Sequence, residues 1–431
     1  MTPDADSIAD CVLETYEKLP QKRKPRIRDD GTREWVPLAG IVLVKDDRLK
    51  CVSLGTGMKC LPSSKLPLAN GNVLHDWHAE ILAIRAFNRF LLDELDLLTA
   101  PPYQLSQFIR RRHPSELTAT TSTSIENHHP FTIQEDVKIY MYCSEAPCGD
   151  ASMELVMSAQ EDATPWTTPA PFISSPQPTT SSPSTPPIHD QPNSTEELPS
   201  GLRGRSHFAH LGALRYKPSR PDAPPTLSKS CTDKLSHTQS TSLLSSLTSL
   251  LISPENAYVD TLVLPSSQFV PAACQRAFET RMAHVSAKTW TGGYAWTPFK
   301  VVGTSREFSW SKRAVGAKEK AIASNLSAVY TPTAQQTLIG GVMQGRKQFD
   351  PRGASVVCRR SMWGLAAKVA AAVGGTALVQ ALGEGTYGKV KESGILGARR
   401  RVKRDVRSAA LKGWVRNEGD DGFGADENRA R

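Results

Sequence analysis

Apolar residues recur along this chain at two periods, and the changes of period mark its elements. Ile8, Val12, Tyr16 and Leu19 fall at helical spacing, so residues 7–19 read as a short amphipathic helix. Two aliphatic runs follow, Leu38 to Val44 and Leu49 to Leu54, joined through Lys45-Asp46-Asp47-Arg48. Strand-like runs bracketing a polar tetrapeptide predict a β-hairpin. From His78 to Leu98 the spacing turns helical again, with Ile81, Leu82, Phe87, Phe90, Leu91 and Leu95 among good helix formers. Val137 to Tyr142 reads as a strand, Ala151 to Val156 as the start of a helix, and Tyr258 to Leu264 as a further strand. The longest apolar stretch, around Leu365 to Leu382, contains Lys368 with several Gly and Ala. It falls short of the about 18 apolar residues of a membrane span and reads as one helix or two.

Two segments break the pattern. Residues 158–200 hold ten of the 31 prolines among Ser and Thr, a composition that buries too little apolar surface to order itself. The expectation is a disordered surface insertion, and a milder polar stretch runs from Arg110 to Pro130. Near the other end, Arg399-Arg400-Arg401-Val402-Lys403-Arg404 reads either as a solvated helix face or as a phosphate-binding run.

The 431 residues suffice for two or three domains, or for one large α/β domain with insertions. With 39% hydrophobic residues a sizeable core is available, and 52 Lys and Arg against 43 Asp and Glu leave a formal charge of +9. That excess suits a polyanionic partner, nucleic acid or an acidic membrane surface. The start Met1-Thr2-Pro3-Asp4 has neither a basic nor an apolar leader region. Eight scattered cysteines then read as reduced thiols, some available to metal, and the expected location is nuclear or cytoplasmic.

Two tripeptides carry the chemistry. His78-Ala79-Glu80 opens the long predicted helix, and Pro147-Cys148-Gly149 stands between a strand and a helix. Zinc favours imidazole and thiolate, and a catalytic site leaves one position for water. A helix N-terminus also favours the thiolate. Glu80, two residues beyond His78, is placed to shuttle protons rather than to bind metal. Either tripeptide alone is common, but the ordered pair matches the H-x-E plus P-C pattern of zinc nucleobase deaminases. The usual second cysteine is missing, since position 151 is Ala. Cys231 is the best candidate for a third ligand, while Cys143 and Cys274, in predicted strands, read as small buried hydrophobes. The spacing from Cys148 to Cys231 decides nothing by itself.

Leu74-His75-Asp76-Trp77-His78-Ala79-Glu80, Pro147-Cys148-Gly149-Asp150 and Ser230-Cys231-Thr232-Asp233-Lys234 together resemble the three motifs of the adenosine deaminases that act on RNA. Gly55-Thr56-Gly57-Met58-Lys59-Cys60 and Cys358-Arg359-Arg360 fit the same family, so the likeness runs from about residue 35 to the C-terminus. The resemblance implies Cys231 as third zinc ligand beside His78 and Cys148, adenine as the base, Glu80 as catalytic residue and Lys59 as a substrate contact. The segment Thr241 to Pro254, and the lack of room before residue 35 for a double-stranded-RNA-binding domain, are similar to the tRNA-specific branch. That branch converts adenosine 37 of alanine tRNA to inosine. The family also buries inositol hexakisphosphate near the zinc. The positions matching its contacts are Arg85, Lys217, Lys234, Arg359, Tyr387, Lys391, Arg401, Trp414 and Asp421, with Lys217 linking the cofactor to Asp76. Ile84, His237 and Asn417 depart from basic residues of the family pattern.

The expected fold is therefore α/β, a three-layer cytidine-deaminase-like core with a mixed sheet and helices on both faces. One deaminase domain spans 1–431, with a short N-terminal helical segment at 1–34 and the insertion at 158–200. The partner is tRNA, with no membrane and no obligatory protein subunit. The rivals are a cytidine or mRNA-adenosine deaminase, and a non-catalytic RNA-binding subunit; the intact Glu80 speaks against the second.

Overall fold

The computed structural model describes residues 3–117, 128–160, 201–205, 207–219, 222–315 and 320–425. Residues 161–200 of the expected insertion, and 118–127 of the polar stretch before it, lie outside the described residues.

A mixed sheet of eight strands forms the centre. In chain order they are β1 (Leu38–Lys45), β2 (Arg48–Thr56), β3 (Lys138–Cys143), β4 (Thr261–Pro265), β5 (Lys300–Thr304), β6 (Leu326–Thr331), β7 (Ala334–Ile339) and β8 (Val342–Met343). Across the sheet they run β5-β4-β3-β1-β2-β6-β7-β8. The β5–β4 and β4–β3 pairs are parallel and the remaining pairs antiparallel. The expected hairpin is β1–β2, closed between Lys45 and Arg48. Asp46 and Asp47 turn it with φ of 50° and 59°, a left-handed pair that Asp tolerates and hairpin twist favours.

Alternation along the strands sorts the core into two layers. Ile41 and Leu43 of β1, Ile139 and Met141 of β3, and Leu262 and Leu264 of β4 share one face. They pack with Phe87, Phe90 and Leu91 of α2 (Ala79–Thr99) and with Trp363 and Ala366, residues of a later helix. Val42, Val44, Tyr140, Tyr142 and Val263 turn the other way, onto Ile8, Val12 and Tyr16 of α1 (Ala5–Glu17). Helices on both faces of a mixed sheet bear out the fold class. At Gly55 of β2 an added Cβ would lie 2.7 Å from the Ala83 nitrogen. Only glycine there lets the first turns of α2 lie flat on the strand.

The apolar stretch near the C-terminus is two helices, α4 (Arg359–Val373) and Thr376–Leu382, divided at Gly374 with φ of 81°. Between α2 and α4 in the chain lies α3 (Cys231–Thr241). The basic run lies on α5 (Gly397–Ala409) and is neither wholly solvated nor wholly buried, for Arg399 is buried while Arg401 and Arg404 are exposed. Cys143 ends β3 and is buried as expected. Cys274 is buried too, but in the helix Pro271–Phe278 rather than a strand. Pro271 at the first helical position starts that helix.

Candidate active site and the basic cavity beside it

Three element starts bring the chemical residues together. His78 caps α2 and Glu80 sits in its first turn, buried. Cys231 opens α3, whose N-cap Ser230 Oγ accepts the Asp233 N–H at 3.1 Å. Cys148 follows β3 in a tight turn. Gly149 there has φ of 116°, and a Cβ on it would meet Ser230 Oγ at 2.3 Å, so glycine is required for the turn to reach α3. The Cys231 N–H donates to Cys148 Sγ at 3.3 Å, and the Thr232 N–H to the Cys148 carbonyl at 3.0 Å.

Asp76 organises the histidine side. Its Oδ1 accepts the His78 N–H at 3.0 Å and lies 2.8 Å from His78 Nδ1. A proton on Nδ1 satisfies that contact and leaves the Nε2 lone pair as the donor to a metal. Oδ2 accepts from Lys217 Nζ at 2.8 Å, from Ser228 Oγ at 2.6 Å and from Lys234 Nζ. Lys217 Nζ is also 3.2 Å from Cys231 Sγ. Burial alone would raise the Asp76 carboxyl, but Lys217, Lys234 and His78 outweigh it and hold it well below the usual range. The Cys148 thiol is held well below its usual range by the hydrogen bond from Cys231, against burial and with help from Lys217, His78 and Arg205. Burial, then Cys148, pushes the Cys231 thiol up; burial, then Cys148, raises Glu80. One imidazole, two thiols and a carboxylate behind the imidazole make a donor set that zinc favours. As the side chains stand, no three His, Cys, Asp or Glu among the described residues are at metal-ligating spacing. Lys59 is on the adjoining loop, where its carbonyl accepts the Trp77 N–H at 3.0 Å and its exposed side chain reaches Asn325.

Behind Asp76 lies a basic cavity in two lobes that open to an outer groove. A lobe of about 250 Å³ is lined by His75, Arg85, Lys229, Lys234, Arg359 and Trp414, among others. A second, of about 360 Å³, shares Arg85, Lys234, Arg359, Arg407 and Trp414 and adds Tyr387 and Lys403. The groove, about 800 Å³, is bounded by Lys391, Arg400, Lys403, Arg407 and Arg416. Of the residues that the resemblance singled out, Arg85, Lys234, Arg359, Tyr387 and Trp414 line the lobes and Lys391 lines the groove. Asp421 pairs with Lys391 at 2.5 Å and with Arg416 at 2.9 Å. Lys217 is on the Asp76 side instead. Arg401 is exposed, 3.5 Å from Thr291 Oγ1, and lines none of these spaces.

Helical geometry explains Arg401: it is two residues from Arg399, about 200° round the helix. Arg399, Lys403 and Arg407, four residues apart, share the inward face. That spacing was readable in the sequence; Lys229, ahead of Cys231, carried no comparable signal. Burial, then like charges, depresses Arg85 to about 10, Arg407 to about 10 and Lys229 to about 7, and puts Lys403 well below its usual range. All three departures from the family pattern also face the cavity, Ile84 lining the larger lobe. His237 stacks on Trp414 with centroids 4.9 Å apart, and Asn417 Nδ2 is 3.1 Å from His75 Nδ1.

Residues 53–418 match the adenosine-deaminase (editase) domain. The chain is 32% identical, over 96% of its length and 95% of the relative's, to tRNA-specific adenosine deaminase 1 of Schizosaccharomyces pombe. It is 31% identical to the Saccharomyces cerevisiae protein of that name, over 65% and 63% of the two chains. A shorter match, 31% over 34% of this chain and 19% of the relative, joins it to the double-stranded RNA-specific editase Adar of Drosophila melanogaster. With the motif residues gathered round a buried glutamate and the match spanning most of the sheet and its helices, the chain belongs to the adenosine-deaminase (editase) family.

Proposed function

We propose that this chain hydrolyses adenosine to inosine in tRNA, at adenosine 37 beside the anticodon of alanine tRNA. The observation that carries the reading is the convergence of His78, Cys148 and Cys231 around buried Glu80. The names of the two yeast relatives support tRNA as substrate over mRNA or free nucleosides.

His78 through Nε2, with Cys148 and Cys231, would hold zinc, and zinc bound there supplies a water acidic enough to attack near neutral pH. The rest falls to the chain. Asp76 fixes the His78 ring, and Lys217 steadies the charge on Asp76 and Cys231. Glu80, raised by burial, takes a proton from the attacking water and passes it to N1 of adenine; it then takes the proton of the hydroxyl now on C6 and delivers it to the C6 amine, which leaves as ammonia as the carbonyl forms. Lys59 at the exposed rim contacts the incoming RNA. A loop nucleotide is poorly stacked, so turning it out costs less than the few kcal/mol of a duplex base.

The basic cavity is read as the seat of inositol hexakisphosphate. Its cations outnumber the acids beside them, and buried like charges are costly unless countercharged. Purified protein incubated with unmodified alanine tRNA, read by sequencing, is expected to gain inosine at position 37. Deamination of cytidine or free nucleosides, with that tRNA left unchanged, would favour the rival enzyme.

A further inference from the structure

Three arginines grip the loop that carries Cys148, and their charges are handled differently; Arg276 pairs with Asp150 at 3.1 Å and with Glu154. Arg313 lies 2.6 Å from Glu145 Oε2 and 2.7 Å from Glu307 Oε2, and donates to the Ser144 carbonyl at 3.0 Å. Two carboxylates neutralise it, which makes it a brace. Arg205 donates through Nη1 to Ser152 Oγ at 3.0 Å and through Nε to Ser219 Oγ at 3.3 Å. Both partners are uncharged, and no ion pair to Arg205 forms among the described residues.

Its backbone is fixed. Leu202–Arg203 pairs with Arg215–Tyr216, the Gly204 N–H donates to the Tyr216 carbonyl at 2.9 Å, and Arg215 Nη1 donates to the Gly204 carbonyl at 2.9 Å. The partner strand runs straight into Lys217. Ser152, which holds the guanidinium, ends the turn Asp150–Ser152 that directly follows Cys148 and Gly149. Arg205 is therefore a partly exposed cation pre-positioned beside the Cys148 turn, with the Nη2 hydrogens and one on Nη1 uncommitted. A phosphate is the anion that such a fork fits best.

We propose that Arg205 binds a backbone phosphate of the RNA next to the adenosine that enters the cleft. The proposal rests on the RNA-deaminase reading and adds to it a positioning residue outside the chemistry. A nucleotide whose base reaches Glu80 beside Cys148 brings its phosphates close to this turn, and one cation there sets the depth and register of entry.

The test uses full-length, zinc-loaded protein with Arg205→Gln and Arg205→Lys. Arg205→Gln keeps a polar side chain near Ser152 but loses the charge. It should raise KM for tRNA about tenfold, a larger change than any in kcat. The slope of log affinity against log salt should become shallower by about 0.7–0.9, the loss of one phosphate contact. Arg205→Lys should recover most of that slope. Unchanged KM and slope in Arg205→Gln, with wild-type protein deaminating tRNA normally, would overturn this proposal alone. A fall in kcat and zinc content without a change of slope would make Arg205 a structural residue and equally overturn it. Wild-type protein that neither binds nor deaminates RNA would remove both readings.

Discussion

The two ends of the Asp76 network handle charge in opposite ways. On the catalytic side opposite signs meet: Lys217 bonds Asp76 and reaches Cys231, and Asp76 also faces the His78 ring. Each buried charge has a partner of the other sign from the chain itself, so Asp76 and Lys217 both stay ionised although fully enclosed. On the cavity side, Arg85, Lys229, Lys403 and Arg407 face one another, and every one of them is pushed toward losing its proton. The nearby acids are already engaged, Asp420 with Arg359 and His75, Asp421 with Lys391 and Arg416. One region is balanced internally; the other, on the function proposed above, takes its balancing charge from a ligand. Lys234 belongs to both, lining the cavity and bonding Asp76 Oδ2, so the state of the cavity reaches His78 through two contacts.

The contrast breaks most sharply at the cysteines. Cys231→Ala removes a proposed ligand and the sulfur that Lys217 contacts, and metal analysis should show near-complete loss of zinc together with loss of inosine formation. Cys143→Ala, a buried thiol at the end of β3, should keep both. Full zinc occupancy in Cys231→Ala would refute the ligand assignment.

The cavity is sharpened next by withholding its ligand. Protein from cells unable to make inositol hexakisphosphate should be unstable and weakly active, and denaturing mass spectrometry should release the compound from ordinary preparations. The ligand-free protein should also respond to pH in a defined direction. Lys403 has a folded pKa depressed below 10.5, so the unfolded chain binds more protons between those values and stability rises with pH across that interval. A melting temperature that is flat there, or full activity without the ligand, would argue that the chain balances the cavity itself.

The smallest effect belongs outside both regions. Replacing 158–200 by a short Gly-Ser linker should leave zinc content intact and stability within about 0.5 kcal/mol, as for changes away from packed structure. Insoluble or zinc-free protein would assign the segment a packed role.

Much of the first region was readable in the chain because its chemistry is local. His78-Ala79-Glu80 and Pro147-Cys148 announce themselves by residue type and by their places at element starts, and the strand and helix periods around them are strong. Cys231 was not fixed by spacing, because it lies 83 positions beyond Cys148, across a long insertion; its closeness comes from the turn at Gly149 meeting the start of α3. The cavity was legible only in part, since its cations come from α2, α4, α5 and the segment before α3, and no local pattern unites them. The register of α5 misled at Arg401, where a run of three arginines hides which one faces inward. Arg399, Lys403 and Arg407 share the helix face that also buries Val402 and Val406 nearby, and apolar neighbours would have chosen them.

The central claim is that Glu80 moves protons and does not hold the metal, and Glu80→Ala tests it most directly. Zinc content, tRNA affinity and inosine yield should be measured on one preparation. Zinc and tRNA binding should stay near wild-type while the rate of inosine formation falls by at least about 10²–10⁴-fold, the usual share of a general acid–base group. Near wild-type deamination by that variant, or loss of its zinc, would contradict the role assigned to Glu80.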